Sequence, residues 1–414
     1  MKVLQIITGL GVGGAEQQLR LLLRRMPVDC DVVTLTDPGP VAAGLRDDGV
    51  SVTHVAMKGN RDLTALPRLA SLIRRGGYDL VHTHLYRACV YGRIAARMAG
   101  VRTMIATEHS LGDRQIEGRP LTRGTRALYL RTERLGTATV AVSATVADRL
   151  RAWGVPAQRI HVVPNGIDAG SFRYDPAARS ATRALLGVPA DAFVVGGVGR
   201  LVPGKRFDLL VRAVAELPGA RLLLAGDGPQ REALRRLAGR LGAEDRIHLL
   251  GECDALADGS HDSSPGVPAV LSAMDVFVSA SAEEAFGLAV VEALAAGLPV
   301  LHVACPAIDD LPAVPAPGAV RVECRVDALH AALVRQRSAG AGRLPPPPLV
   351  GHYDIGRSAA DLLQVYARAA AGTTGAVPPA KPAPAKPVPV KPGSAPPATP
   401  VLSPPVNPHR TEEK

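Results

Sequence analysis

The sequence predicts an α/β protein made of two doubly wound parallel sheets, and three observations carry that expectation. At 414 residues the chain exceeds the size at which a single hydrophobic core keeps growing, so two domains are expected. Short apolar runs alternate with helix-like segments up to about residue 170, which is the rhythm of βαβ units. A polar, proline-punctuated stretch, DAGSFRYDPAARSATRALLGVPADA, then interrupts the rhythm before it restarts.

In the first half, KVLQIIT, CDVVTLTD, SVTHVAM, DLVHTH, TMIATEHS, ATVAVS and IHVVPNG read as strands. LRLLLRR, LTALPRLASLIRR and RACVYGRIAARMAG read as helices between some of them. In the second half, FVVGGVG, ARLLLAGDG, RIHLLGE, VFVSAS and LPVLHVA are the apolar runs. FDLLVRAVAEL, PQREALRRLAGRLG and a helix after Phe286 separate them. The expected organisation is an N-terminal domain at 1–172, a linker at 173–190, a second domain at 191–350 and an amphipathic helix at 351–372. Residues 373–414 are Pro/Ala/Lys-rich, with Lys381, Lys386 and Lys391 evenly spaced. Such a segment buries too little apolar surface to offset its ordering entropy, so it is expected to be extended and disordered.

The net charge of +10 points to an anionic partner. Aromatic residues are only 3% of the chain, too few for base-stacking platforms, so nucleic acid is not expected. The basic stretch RQIEGRPLTRGTRALYLRTER is the candidate surface for anionic lipid, with a solvated arginine-rich helix as the alternative. Five scattered cysteines without a C-x-x-C pair argue against a disulfide framework or zinc knuckle. Gln5 and Thr8 interrupt the N-terminal apolar stretch, unlike a secretory signal. The longest apolar candidate for a membrane span contains Glu292, Pro299 and His302. A cytoplasmic protein is expected, with peripheral attachment at the inner membrane face open to it.

Residues 9–18, GLGVGGAEQQ, stand between a strand and a helix. Gly9, Gly11 and Gly14 fit the G-x-G-x-x-G spacing and Asp37 falls where a ribose-binding acid would, so an NAD-dependent oxidoreductase is one reading. Arg200 and Lys205, in RLVPGKR after a strand, suit a different chemistry, the neutralising of a diphosphate as it leaves. In SASAEEAFGLAVVEALAAGLPV, Glu284 falls in a turn and Phe286, Gly287 and Leu288 open a helix whose first amides can meet an anion. Glu292 follows on that helix, with seven residues between the two glutamates. A glycoside hydrolase would also use two carboxylates, but not beside an anion-binding helix terminus. His82 and His84 share one strand face and suit a structural role better than a metal pair.

Together, GGAE (13–16), TEHS (107–110), VPNGID (163–168), GRLVPGKRFDLL (199–210), AGDGP (225–229) and E-A-F-G-L-x-x-x-E-A (284–293) resemble the family-4 retaining glycosyltransferases of GT-B fold. The resemblance runs in the family order over three quarters of the chain. It implies two Rossmann-like domains facing across a cleft and a C-terminal helix crossing back to the first. It also implies a nucleotide-sugar donor, retention at the anomeric carbon, a leaving phosphate that helps deprotonate the acceptor, and no obligatory metal or other cofactor. By carry-over, Arg200 and Lys205 bind the diphosphate, Glu284 the donor sugar and Glu292 the ribose. Gly13 and Gly14 form the glycine loop facing the donor, and His109 is the active-site histidine. The G-x-G-x-x-G match is then coincidental, and Asp37 loses its ribose to Glu292. The stretches HVACPAIDDLP and 253–272 depart from the family pattern beside the expected sugar and base positions. UDP- or GDP-sugars are the expected donors, and a sugar, lipid-linked or phosphorylated acceptor is expected on the N-terminal domain.

Overall fold

The computed structural model describes residues 1–113, 115–117, 119–253, 265–340 and 342–374. The Pro/Ala/Lys-rich tail from 375 and the middle of the 253–272 connection lie outside the described residues. In chain order the first lobe holds β1 (Lys2–Ile7), β2 (Asp29–Thr34), β3 (Ser51–His54), β4 (Leu80–His84) and β5 (Thr103–Glu108). A hairpin of β6 (Gln115–Ile116) and β7 (Arg119–Pro120) follows, then β8 (Ala138–Ala141) and β9 (Ile160–Val162). The second lobe holds β10 (Val194–Val198), β11 (Arg221–Ala225), β12 (Ile247–Gly251), β13 (Val276–Ser279), β14 (Val300–His302) and β15 (Ala319–Arg321).

Both sheets are parallel, ordered β3-β2-β1-β4-β5-β8-β9 and β12-β11-β10-β13-β14-β15. Strands β4 and β5 are buried along their whole length, as expected where helices cover both faces. Chain order reverses beside β1 in one sheet and beside β10 in the other, and ligands of such sheets bind at those switch points, beyond the carboxyl ends of the strands. The glycine loop at 9–14 follows β1, and the Arg200–Lys205 loop follows β10. A surface groove of about 360 Å³ lined by Arg74, Tyr78, Asp79 and Arg102 lies instead beside the amino ends of β4 and β5.

The last helix, Ile355–Thr374, follows the second lobe but packs on the first. Ile355, Ala359, Leu362, Tyr366 and Ala369 recur every three or four residues and, with Val365, bury against Val3, Leu22, Leu80, Ile105 and Val140. Another apolar cluster runs through both lobes, joining Leu150, Trp153 and Phe172 to Phe286, Val290 and Leu294.

Two elements depart from the sequence reading. The polar stretch between the lobes contains a helix, Pro176–Leu185, capped by Asp175 Oδ1, which accepts from the amides of Ala177 and Ala178. Its Arg179 and Arg183 reach the buried Asp275 carboxylate at 2.7 and 2.9 Å, so it is clamped to the second lobe rather than loose. Strand β15, with its exposed Val320 and Arg321, closes the sheet edge where no long apolar run marks a strand.

Candidate active site

In the first lobe, Gly13 is the N-cap of the helix Gly14–Arg25, in extended conformation and without a side-chain cap. The helix therefore offers its first amides to a ligand. A Cβ on Gly13 would collide with the Glu16 carboxylate, and one on Gly14 would lie 3.3 Å from Leu288 Cδ1 of the second lobe. Gly14 and Leu288 thus meet across the seam. Asp37 Oδ1 accepts from Gly39 N at 2.9 Å, and its carbonyl accepts from Leu10 N at 2.9 Å, so this acid closes its own loop.

Glu16, to which the GGAE motif by itself assigns no role, stands in the first turn of the same helix. Burial pushes its carboxyl up to about 7, while Arg200 pulls it down and Glu117 pushes it up. An acid in the GGAE motif thus lies within electrostatic reach of the cation expected to hold the diphosphate. His109, just after β5, lies 3.1 Å through Nε2 from His84 Nδ1, and its Nδ1 is buried without a protein partner. Burial lowers it to about 4, so it is neutral at pH 7. Its contacts lie within the first lobe and the last helix, whose Ser358 and Leu362 line the same small cavity.

In the second lobe, Arg200 is exposed. A short turn, Pro203–Lys205, brings Lys205 Nζ to 2.5 Å from Glu284 Oε1. Gly226 and Gly228 in AGDGP pack under this loop at positive φ, and a Cβ on Gly228 would lie 2.6 Å from Leu201 O. Gly287 caps the helix Leu288–Ala295 at φ +106, where a Cβ would lie 2.6 Å from Cys305 Sγ. Only glycine takes that backbone and that space without strain. Phe286 is buried edge-on against Tyr353, with ring centroids 4.9 Å apart. Glu292 sits half-buried in the second turn, and burial alone pushes it up to about 7.

The lobes are fastened around these groups by residues that no local motif marks. Arg149 of the first lobe donates Nη1 to Leu111 O and Glu284 O, each at 3.0 Å, and lies 3.3 Å from the Glu283 carboxylate. Glu283 also accepts from Asp113 N and from Gln115 Nε2. In the altered stretch HVACPAIDDLP, Asp310 accepts from Thr145 N at 2.9 Å and Thr145 Oγ1 at 2.6 Å, capping a first-lobe helix from the other lobe. The unusual loop therefore helps hold the seam. All four ring nitrogens of His82 and His84 are taken by hydrogen bonds within the protein or to His109.

Two doubly wound parallel sheets, with a cationic loop and helix termini free of side-chain caps at their switch points, define a GT-B fold. Residues 12–170 match Glycosyltransferase Family 4 and residues 192–336 match Glycosyl transferases group 1. The chain belongs to glycosyltransferase family 4, whose members transfer with retention. It is 34% identical over 288 residues to D-inositol 3-phosphate glycosyltransferase 1 of Catenulispora acidiphila, a match covering 62% of this chain and 65% of that relative. Its fold is similar to Anabaena HepE in complex with UDP-glucose (TM-score 0.76, 22% identity, 89% of this chain and all of that one). It is also similar to WaaG, a glycosyltransferase involved in lipopolysaccharide biosynthesis (TM-score 0.62, 18% identity, 90% of this chain and all of that one). At that identity, the likeness to these structures concerns the fold.

No helix among the described residues is long and apolar enough to cross a membrane.

Proposed function

We propose that this enzyme moves a hexosyl group from a UDP- or GDP-sugar, with retention, to a sugar, lipid-linked or phosphorylated acceptor in cell-surface polysaccharide or glycolipid assembly. The first lobe (1–172) takes the acceptor and the second (191–350) the donor. The observation that carries this reading is the meeting of Arg200, Lys205, Glu284 and the Leu288–Ala295 helix terminus on one lobe with Gly14 and Glu16 of the other. Arg200 and Lys205 balance the diphosphate charge as the bond from anomeric carbon to phosphate oxygen breaks. The acceptor oxygen bonds to the same face of that carbon, and its proton passes to the departing phosphate oxygen. Glu284, released from Lys205 when the diphosphate arrives, hydrogen-bonds the donor sugar, and Glu292 accepts from the ribose hydroxyls. Gly13 and Gly14 leave room for the donor, and His109 borders the reacting sugar.

The names of the relatives favour this chemistry: one acts on an inositol phosphate and another was crystallised with UDP-glucose. The helix Arg123–Glu133 exposes Arg123, Arg131 and Leu128 together, a pattern that suits the headgroup region of an anionic membrane. A panel of UDP-, GDP- and ADP-sugars tests the assignment through slow donor hydrolysis and thermal protection by one nucleoside diphosphate. Charge-assisted hydrogen bonds of about 1.5–3 kcal/mol each imply that Arg200→Ala or Lys205→Ala weakens that diphosphate by roughly 10–150-fold. Unchanged affinity in both variants would overturn the donor site.

A further inference from the structure

We propose that Tyr366, Gln5 and His84 are positioning residues that hold His109 in one tautomer, with hydrogen on Nε2 and a lone pair on Nδ1. The inference deepens the reading of His109 as part of the transfer site and rests on it. Its basis is a buried chain of hydrogen bonds linking the last helix to the end of β5. His109 Nε2 lies 3.1 Å from His84 Nδ1, and His84 Nε2 lies 2.9 Å from Gln5 Oε1. Gln5 Nε2 lies 3.0 Å from Tyr366 Oη, Tyr366 Oη 2.7 Å from His82 Nδ1, and His82 Nε2 2.7 Å from Thr107 Oγ1.

The direction of every bond follows from how the Gln5 amide is turned, with Oε1 toward His84 and Nε2 toward Tyr366 Oη and Cys30 Sγ. An amide oxygen only accepts, so His84 must carry its hydrogen on Nε2, and its Nδ1 then accepts from His109 Nε2–H. On the other side, Gln5 Nε2 donates to Tyr366 Oη, the tyrosine hydrogen goes to His82 Nδ1, and His82 Nε2–H donates to Thr107 Oγ1. Burial keeps all three imidazoles neutral, with His82 lowered to about 3, His109 to about 4 and His84 well below its ordinary value. Each ring therefore has one donor and one acceptor, and the bonds run in one direction along the chain, with the second Gln5 amide hydrogen turned toward Cys30 Sγ at 3.9 Å.

The far end has matching polarity. His109 and Gln18 line a cavity of about 20 Å³, bordered also by Asn165 and Ser358, which is the size of one hydroxyl or water. Gln18 Oε1 accepts from Gly166 N at 3.2 Å, leaving its buried Nε2 as an unpartnered donor. A hydroxyl oxygen in that space accepts from Gln18 and donates to the His109 lone pair; with the opposite tautomer, Gln18 and His109 would both present donors. His109 thus acts toward a hydroxyl as an acceptor, and the last helix takes part in setting that role.

The experiment is nitrogen-15 NMR of the full chain labelled at histidine, with His109 assigned through His109→Gln. At pH 7.5 the expected spectrum shows His109 with a protonated Nε2 and an unprotonated Nδ1. Tyr366→Phe removes one hydroxyl and frees the Gln5 amide to turn, so His109 is expected to populate both tautomers. Turnover is expected to fall by roughly 10–100-fold, with donor KM changed less than about twofold, as for a group that orients rather than binds. Gln5→Leu should behave alike. An Nδ1-protonated His109 in the unaltered protein overturns the proposal whether or not either variant folds. So does an unchanged tautomer and turnover in folded Tyr366→Phe and Gln5→Leu. Full transfer activity in His109→Gln, beside the expected wild-type spectrum, would instead overturn the placement of His109 in the transfer site.

Discussion

Replacing Glu292 by glutamine is expected to cost donor affinity and add stability in the same protein. Burial raises the Glu292 carboxyl from its ordinary 4.5 to about 7. At ~1.4 kcal/mol per pH unit, that rise is about 3 kcal/mol against the ionised form in the folded protein. Below pH 4.5 the acid is protonated in both states and costs nothing. As pH rises from there toward 7, the unfolded chain loses the proton while the folded one keeps it, so stability falls across that window and stays reduced above it. Glu292→Gln removes this loss, and its melting temperature should exceed that of the unaltered protein at pH 8 but match it near pH 4.5. A ribose, by contrast, needs the carboxylate to accept from two hydroxyls. Glu292 is mostly protonated at pH 6 and mostly ionised at pH 8, so the nucleoside diphosphate should bind roughly 5–10-fold more tightly at pH 8, a gain the variant lacks. Calorimetric titration of both proteins at the two pH values measures this. The comparison cancels the titration of the ligand phosphate and of Glu16, which burial raises similarly. Identical pH dependence of binding in the two proteins would refute the ribose role, and identical melting curves at pH 8 would refute the buried-charge cost.

Gly287→Ala places a side chain at φ +106 and 2.6 Å from Cys305 Sγ. It should destabilise the fold by about 2–4 kcal/mol in denaturant unfolding, and adding Cys305→Ala should recover only the steric part. Arg149→Ala removes bonds to Leu111 O and Glu284 O together with the Glu283 pair. It should lower kcat by roughly tenfold or more and loosen the seam, measured as faster amide exchange around residues 283–288.

Much of the fold could be read from the sequence because parallel strands buried on both faces are written as continuous apolar runs. KVLQIIT, DLVHTH and TMIATEHS each became a central strand. The helix Pro176–Leu185 escaped because Asp175-Pro176 reads as a loop signal when it is in fact a cap followed by proline in the first turn. Strand β15 escaped because an edge needs only a few residues and little burial. At the site, the motif resemblance implied Lys205 for the diphosphate and Glu284 for the donor sugar, the structure pairs the two side chains, and Glu16 was in view beside Gly13 and Gly14. Nothing local could announce Arg149 or Asp310, whose partners lie 135 and 165 positions away. Gln5 and Tyr366 are separated by 361 positions: the sequence shows Gln5 as a polar break in an apolar run and Tyr366 as an ordinary member of an amphipathic helix, with nothing to join them.

The return of the last helix to the first lobe has a bearing on how the chain is made. The strip of Val3, Leu22, Leu80, Ile105 and Val140 packs against residues 355–369, which leave the ribosome some two hundred residues after the lobe they complete. At roughly 5–20 residues per second, that lobe waits about 10–40 seconds with its apolar flank open. A nascent chain in this interval is a natural client for a holding chaperone. Expressing the first lobe by itself should give an aggregating product, which supplying the helix as a separate peptide would protect.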